Sequence, residues 1–435
     1  MKRSLLLGFF LLLYLFGLRN QVFAQNKVVV LSVEDYIINP IIYEYICAGL
    51  KKAEEENAPL LIKLDTPGGL LESTRKIVKK ILNSDIPVIV YVYPQGSRAA
   101  SAGVFITLSA HIAAMSPSTH IGSAHPVIMN KSWGQIDEEL KKKVINDTLS
   151  WVENIAKKRK RNVRWAKKAV EESVSADETQ ALRLKIIDLI AQDTPELLKK
   201  LDGRMVNLNG KNIFLKTKGA RLISLEMSLR QKLLNALINP QIAYILMVLG
   251  FFALLYEVTH PGFGFPGIFG VIALLLAFYA FQVLPVNYAG LSLIILGIIF
   301  LIVEIFTPTF GLFTAGGLSC LILGSLMLFN QKVPFLKIPL KFILSLTISI
   351  SIITLFVLTK AVSIQRKKPL TGKESLIGKT GVALQDIEGE GKIELDGQIW
   401  TAKTKDKIKK GEEVSVEKIE GLKLVVKKKE VKDVS

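Results

Sequence analysis

Cysteine is almost absent: Cys47 and Cys320 are the only two in 435 residues. One lies in a helical pattern and the other in a membrane-like apolar run. They build no disulfide framework, so the chain must be held together by its core. Both read as small apolar packing residues. Histidine is also scarce, and His111, His120, His125 and His260 have no ligand-like spacing with cysteine. No metal site is therefore expected. No glycine-rich phosphate loop is present, so no nucleotide and no cofactor of that kind is expected either. Charged residues are rare between residues 241 and 360, although half of all residues in the chain are hydrophobic.

What is present divides the chain. Residues 1–24 begin with Lys2 and Arg3, continue through "LLLGFFLLLYLFGL" and end in "QVFA". A basic start, a short apolar run and small residues before the boundary make a secretory signal, with cleavage expected after Ala24. Residues 25–225 alternate apolar strand-like runs ("KVVVLSV", "PLLIKLD", "PVIVYVY") with helical patterns ("NPIIYEYICAGLKKAEEENA", "LLESTRKIVKKILNS"). Repeating β and α units predict an α/β layer fold with a largely parallel sheet. Residues 241–360 hold five apolar runs, each near the roughly 20 residues that cross a bilayer, with four spans as the alternative. Within them Glu257-x-x-x-Pro261-x-Phe263-Gly264 recurs as Glu304-x-x-x-Pro308-x-Phe310-Gly311. These acids could face headgroups or pair in a proton or ion site. Residues 371–430, with alternating apolar residues and regular glycines, predict a small all-β OB-like barrel. Trp400 and a few apolar strand residues make no stacking platform for bases, so the barrel reads as a scaffold or partner-binding module.

The net charge is +18, much of it in runs such as Lys157-Lys158-Arg159-Lys160-Arg161. In an exported chain with membrane spans, lipid headgroups suit that charge better than nucleic acid, and solvated helix faces account for most of it. Five spans after a cleaved signal put residues 25–225 outside the cytoplasm and the barrel inside. "QRKKP" after the last run agrees with this, whereas "QKVPFLKIPLK" before it does not.

Two stretches carry chemistry. "LDTPGG", ending at Gly69, follows an apolar strand, and its two glycines expose backbone N–H groups where parallel sheets place ligands. "QGSRAASAG" follows the next strand, with Ser101 between Ala100 and Ala102 before Gly103. A helix starting there would set free N–H groups beside the hydroxyl. Serine hydrolysis needs a hydroxyl, a base, oxyanion donors and a groove. Ser97 is the rival serine in the same loop.

Together, "LDTPGG" and "AASAG", the signal, the apolar spans and the terminal barrel resemble the long form of the NfeD-like membrane-bound serine proteases. The resemblance covers nearly the whole mature chain and extends to "IGSAHPV" at 121–127 and "SVSADETQALRLKIIDLIA" at 173–191. It implies a Clp protease/crotonase-like α/β domain and a Ser–Lys dyad, with Ser101 as nucleophile and Lys143 as base. Lys141 and Lys142 are equally basic neighbours, and spacing alone does not choose among the three. A base lysine must lose its proton, which calls for apolar cover, expected near Trp133, Leu140 and Val144. Oxyanion donors would be the N–H groups of Gly69 and Ala102, with Gly68 shaping the loop. The substrate would be an extended peptide, taken from apolar stretches of membrane-associated proteins. A stomatin-like (SPFH) protein is the implied partner, alongside membrane lipid and other copies of the chain in a homo-oligomer.

Three alternatives stand beside this. His125, with Glu171 or Glu172, could serve as base in a Ser–His–Glu peptidase. A crotonase-type enzyme would act on acyl thioesters, a cytosolic chemistry at odds with a signal. A non-catalytic membrane scaffold would organise SPFH proteins through its spans and barrel.

Overall fold

The computed structural model describes residues 26–126, 137–259, 262, 264–307, 311–329, 336–365 and 373–429. The expected signal at 1–24, Trp133, and His260, Pro261, Phe263, Pro308 and Phe310 lie outside the described residues. Two compact units result, the larger running to Thr347 apart from a few residues after Glu304, the second containing the barrel.

In the larger unit the central sheet is wholly parallel. Its strands are β1 (Lys27–Val33), β2 (Leu60–Leu64), β3 (Val88–Val92), β5 (Ile112–Met115), β8 (Leu189–Ile190) and β11 (Arg221–Ser224). They stand in the order β11-β1-β2-β3-β5-β8. Successive side chains go to opposite faces: Val29, Leu31 and Val33 pack into one core, and Val28 and Val30 into the other. Burial on both faces explains why these strands read as continuous apolar runs rather than alternating ones. Pro59 and Pro87 stand just before β2 and β3, where the ladder uses only their carbonyls, accepting from Val29 and Leu60 at 3.0 and 2.9 Å.

The first face is covered by α1 (Pro40–Glu55), α2 (Leu71–Leu82), α3 (Ala102–Ser109), α4 (Glu138–Lys158) and α5 (Val163–Glu171). Asn39 caps α1 by accepting from the N–H groups of Ile41 and Ile42, and Pro40 fills the first helical position. Phe105 of α3 stacks on Trp151 of α4 with ring centroids 4.4 Å apart, and the Arg75 guanidinium covers the same indole. The second face is covered by α7 (Thr194–Leu201) and the hairpin of β9 (Met205–Leu208) and β10 (Lys211–Phe214). A second, small sheet of β4 (Arg98–Ala100), β6 (His120–Gly122) and β7 (Ser175–Asp177) sits at the end of the domain, with α6 (Glu178–Arg183) following β7.

After α8 (Leu229–Leu237) come α9 (Pro240–Thr259), α10 (Phe265–Val283), α11 (Tyr288–Phe306), α12 (Leu312–Leu328) and α13 (Leu340–Gln365). Of these, α9 and α10 are long and apolar enough to cross a membrane, and residues 288–304, 312–328 and 340–353 form shorter apolar helical stretches. The repeated glutamates act as caps. Glu257 Oε1 accepts the N–H of Gly264 at 3.0 Å, and Glu304 takes those of Gly311 and Thr314 at 3.0 Å each. Each carboxylate thus satisfies the start of the following helix. In both hairpins glycine faces glycine: a Cβ on Gly250 would lie 3.1 Å from Gly270 O, and one on Gly297 2.7 Å from Gly317 O. Such small-residue crossings let membrane helices approach closely.

The second unit contains a closed barrel of β12 (Thr380–Ala383), β13 (Glu390–Leu395), β14 (Gln398–Lys403), β16 (Lys423–Lys428) and β15 (Glu413–Glu420), in that spatial order. Ile393, Leu395, Val414, Val416, Leu424 and Val426 fill it, which is what the alternating sequence requires.

Candidate active site

The site is assembled by backbone pairing around Thr66, which is fully buried. Its N–H donates to Arg98 O at 2.8 Å and its carbonyl accepts from Ala100 N–H at 3.1 Å, so the "DTPGG" loop lies along β4. The Thr66 hydroxyl donates to Tyr36 O at 2.8 Å and accepts the Gly68 N–H at 3.1 Å. Gly68 O takes the N–H of Ile38 at 2.9 Å, and Ile38 O takes that of Leu70 at 2.8 Å. Gly69 is thus pinned against Ile38, where a Cβ would fall 2.2 Å from the Ile38 oxygen. Among the described residues the Gly69 N–H has no partner.

Ser101 links β4 to α3 with φ 50° and ψ −106°. A non-glycine residue with that φ is strained, and strain of this kind gathers at functional sites. The conformation is held by Ser101 N–H donating to Gly122 O at 3.0 Å. The Ala102 N–H, in the first turn of α3, has no acceptor among the described residues. Gly68, at φ +124°, faces the serine: a Cβ there would meet Ser101 Cβ at 2.8 Å and Oγ at 3.2 Å. Ser101, Gly68, Gly69 and Ala102 therefore come together. Ser97 is only 2 % exposed, so its hydroxyl is not offered to a substrate.

The far end of α3 is held by two residues of the basic run. Arg159 donates to Ser109 O at 2.7 Å and to Ile81 O at 3.3 Å. Arg161, 6 % exposed, donates to Leu108, Ala110 and Ile186 carbonyls and pairs with Asp188 at 2.9 Å. Cations at a helix C-terminus satisfy its last carbonyls and its dipole. The sequence puts these arginines in a run that looks solvated or lipid-facing; in the fold they brace the helix that carries the serine. Next to them, burial, with the two arginine charges adding to it, pushes the His111 imidazole down to about 3, and its Nδ1 accepts the Val88 N–H at 3.2 Å.

The two candidate bases are placed differently. His125 Nδ1 lies 2.8 Å from Val170 O, a carbonyl where a triad would have a carboxylate. Glu171 and Glu172 are exposed, and Glu172 pairs with Lys168 at 3.3 Å. Lys143 lies in the second turn of α4 and is exposed, as is Lys142, while Lys141 pairs with Glu138 at 2.5 Å. Among the described residues no hydrogen bond or ion pair joins Lys143 to Ser101. Its expected apolar neighbour Leu140 is 47 % exposed, and residues 127–136, between His125 and α4, lie outside the described residues. Among the described residues no group of three or more His, Cys, Asp or Glu side chains could hold a metal.

Residues 27–219 match the NfeD1b N-terminal domain, 241–360 the NfeD integral membrane domain and 373–428 the NfeD-like C-terminal, partner-binding domain. The membrane-bound protease PH1510 of Pyrococcus horikoshii is 35% identical, covering 98% of both chains. The chain belongs to the NfeD family. The membrane protein NfeD1b of Bacillus subtilis is 28% identical, again over 98% of both chains. Among solved structures, 1510-N, a membrane-bound stomatin-specific protease, was determined as a lysine-to-alanine variant in complex with a substrate peptide. It is 33% identical, covers 49% of this chain and 98% of its own, and has a TM-score of 0.46. This NfeD member is a membrane protease, with the expected architecture of an α/β domain, apolar helices and a small β-barrel.

Proposed function

We propose that the protein is an endopeptidase in which Ser101 is the nucleophile and Lys143 the base. Lys143 Nζ takes the proton as Ser101 Oγ attacks the peptide carbonyl. The oxyanion is received by the N–H groups of Gly69 and Ala102, with Gly68 leaving room for it. The protonated lysine then gives its proton to the leaving amine. Water repeats the sequence on the acyl-enzyme and frees the acid. The observation that carries this reading is Ser101 held at φ 50° at the head of α3 with Gly68 against its side chain.

Lys143, exposed in the chain by itself, is covered when a peptide or a second copy closes over α4. The substrate is an extended apolar segment of a membrane-associated, stomatin-like protein. Two things support that choice: 1510-N, a third identical in sequence, is a stomatin-specific protease, and the C-terminal domain matches a partner-binding one. The domains run 25–225, 241–360 and 371–430 after a signal at 1–24. The peptidase domain lies outside the inner membrane and the barrel in the cytoplasm.

The test uses the full chain in vesicles with a panel of apolar peptides. Loss of cleavage in Ser101→Ala and Lys143→Ala but not in His125→Ala supports the dyad. Loss in His125→Ala with retention in Lys143→Ala replaces it by the histidine peptidase. Folded wild type that cleaves nothing would point to a scaffold.

A further inference from the structure

α8 buries none of its residues. Leu229 and Leu233 are 80 % and 67 % exposed, and Ala236 is exposed too. Positions i, i+4 and i+7 share one helix face. Arg230 and Lys232 flank this stripe, and both are neutralised, by Glu44 at 3.3 Å and Glu226 at 2.9 Å. Apolar contact, rather than net charge, is therefore what the stripe offers.

The chain itself says what covers it. α9 begins at Pro240, directly after Ile238 and Asn239, and has 20 residues. A helix of that length is about 30 Å long, the thickness of the hydrocarbon layer, so Pro240 stands at its edge. A helix ending at Leu237 then lies in the headgroup boundary, where an amphipathic helix sinks its apolar stripe toward the acyl chains.

The opposite side of α8 reaches Asn39, next to the residue that holds the "DTPGG" loop. Asn39, 2 % exposed, uses its Oδ1 for Ile41 and Ile42, which leaves its Nδ2 to donate to Asn235 Oδ1 at 2.7 Å. The hydrogen-bond network thereby fixes the orientation of the Asn39 amide. Ile38, the preceding residue, is the one that holds Gly68 O and Leu70 N–H. We propose that α8 is seated in the bilayer boundary, and that Asn235 is a positioning residue which transmits that seat through Asn39 and Ile38 to the oxyanion loop. The link to catalysis rests on the peptidase reading above; the seat rests only on the membrane helices.

The seat is tested with full-length protein in phosphatidylcholine vesicles, carrying Cys47→Ser, Cys320→Ser and a spin label at Leu233→Cys. Collisions with oxygen, which dissolves in lipid, should exceed those with an aqueous nickel chelate, as for a label at Ile242→Cys of α9. A label at Lys76→Cys on α2 should show the reverse. A Leu233 label that behaves like the Lys76 label, or that is shielded from both reagents by another protein surface, overturns the seat. For the link, Asn235→Ala should lower kcat about tenfold with KM within about twofold, the size expected for one lost hydrogen bond. Asn235→Asp, which keeps the acceptor, should restore kcat. Amide exchange should quicken at residues 66–70 in the alanine variant with Tm unchanged, a readout that survives even if no peptide is cleaved. Unchanged exchange in Asn235→Ala, or an aspartate variant as impaired as alanine, overturns the link.

Discussion

Ser101 and Lys143 are proposed for one reaction, yet they stand in opposite surroundings. The serine is fixed by a backbone bond to Gly122, flanked by Gly68 and mounted on a helix braced at its other end by Arg159 and Arg161. The lysine is exposed on the N-terminal half of α4, well before the Phe105–Trp151 stack that docks that helix. On the proposed reading, one half of the site is finished on folding and the other waits for cover. A lysine base requires desolvation whereas an oxyanion cradle requires only geometry. Keeping the lysine open until substrate arrives would leave the serine idle in the free enzyme.

The difference can be attacked from either side. The largest effect is expected from Gly68→Ala. A Cβ at φ +124° and 2.8 Å from Ser101 Cβ should lower kcat by about a hundredfold or more, roughly the loss of one oxyanion donor, in a protein that remains folded. Peptide cleavage with full activity would show that the cradle is not preformed. On the lysine side, a peptide bound to Ser101→Ala should slow acylation of Lys143 by acetic anhydride about tenfold as water is excluded, while Lys158 reacts unchanged. Equal rates with and without peptide, read by mass spectrometry, would remove substrate cover from the scheme. Arg161→Met should destabilise the α/β domain by about 3 kcal/mol, because it strands three carbonyls and Asp188. Thermal inactivation reads this, and kcat of the molecules still folded should be nearly intact.

The last effect appears only on acidification and is absent at neutral pH. His111 titrates near 3 when folded and near 6.5 as a free side chain, so between these values the unfolded chain binds the extra proton. Stability therefore falls as pH drops from about 6.5 toward 3, by at most about 1.4 kcal/mol per unit from this group. His111→Gln should flatten that limb of an inactivation profile and leave the neutral range unchanged.

Much of this was legible in the chain. Apolar runs after Pro59 and Pro87, and helices beginning at capped positions such as Asn39-Pro40, betray the βα alternation. "DTPGG" and "ASAG" mark the close approach of the two loops: a Cβ on Gly68 would strike Ser101, one on Gly69 the Ile38 backbone, and one on Gly103 the Thr66 side chain. β4 was not legible: three residues, Arg98–Ala100, are too few to show a period. Nor was the role of Arg161, since a basic run looks alike whether it points to water or caps buried carbonyls. The repeated glutamates read as headgroup-facing or ionic, and only the helix turns at Gly264 and Gly311 reveal them as caps. Among the described residues nothing covers Lys143, and exposure of a side chain in the second turn of a helix is not something a local pattern encodes.

The backbone of Ser101 has a further consequence. At φ 50° and ψ −106°, a side chain costs the fold something on the order of 1–3 kcal/mol, and glycine alone would relieve it. Ser101→Gly should therefore yield a protein that melts later than wild type while cleaving nothing. With Ser101 as the proposed nucleophile, the position offering an easy gain in heat resistance is the one a working enzyme has to leave uncomfortable, and selection for activity and selection for robustness pull against each other at a single residue.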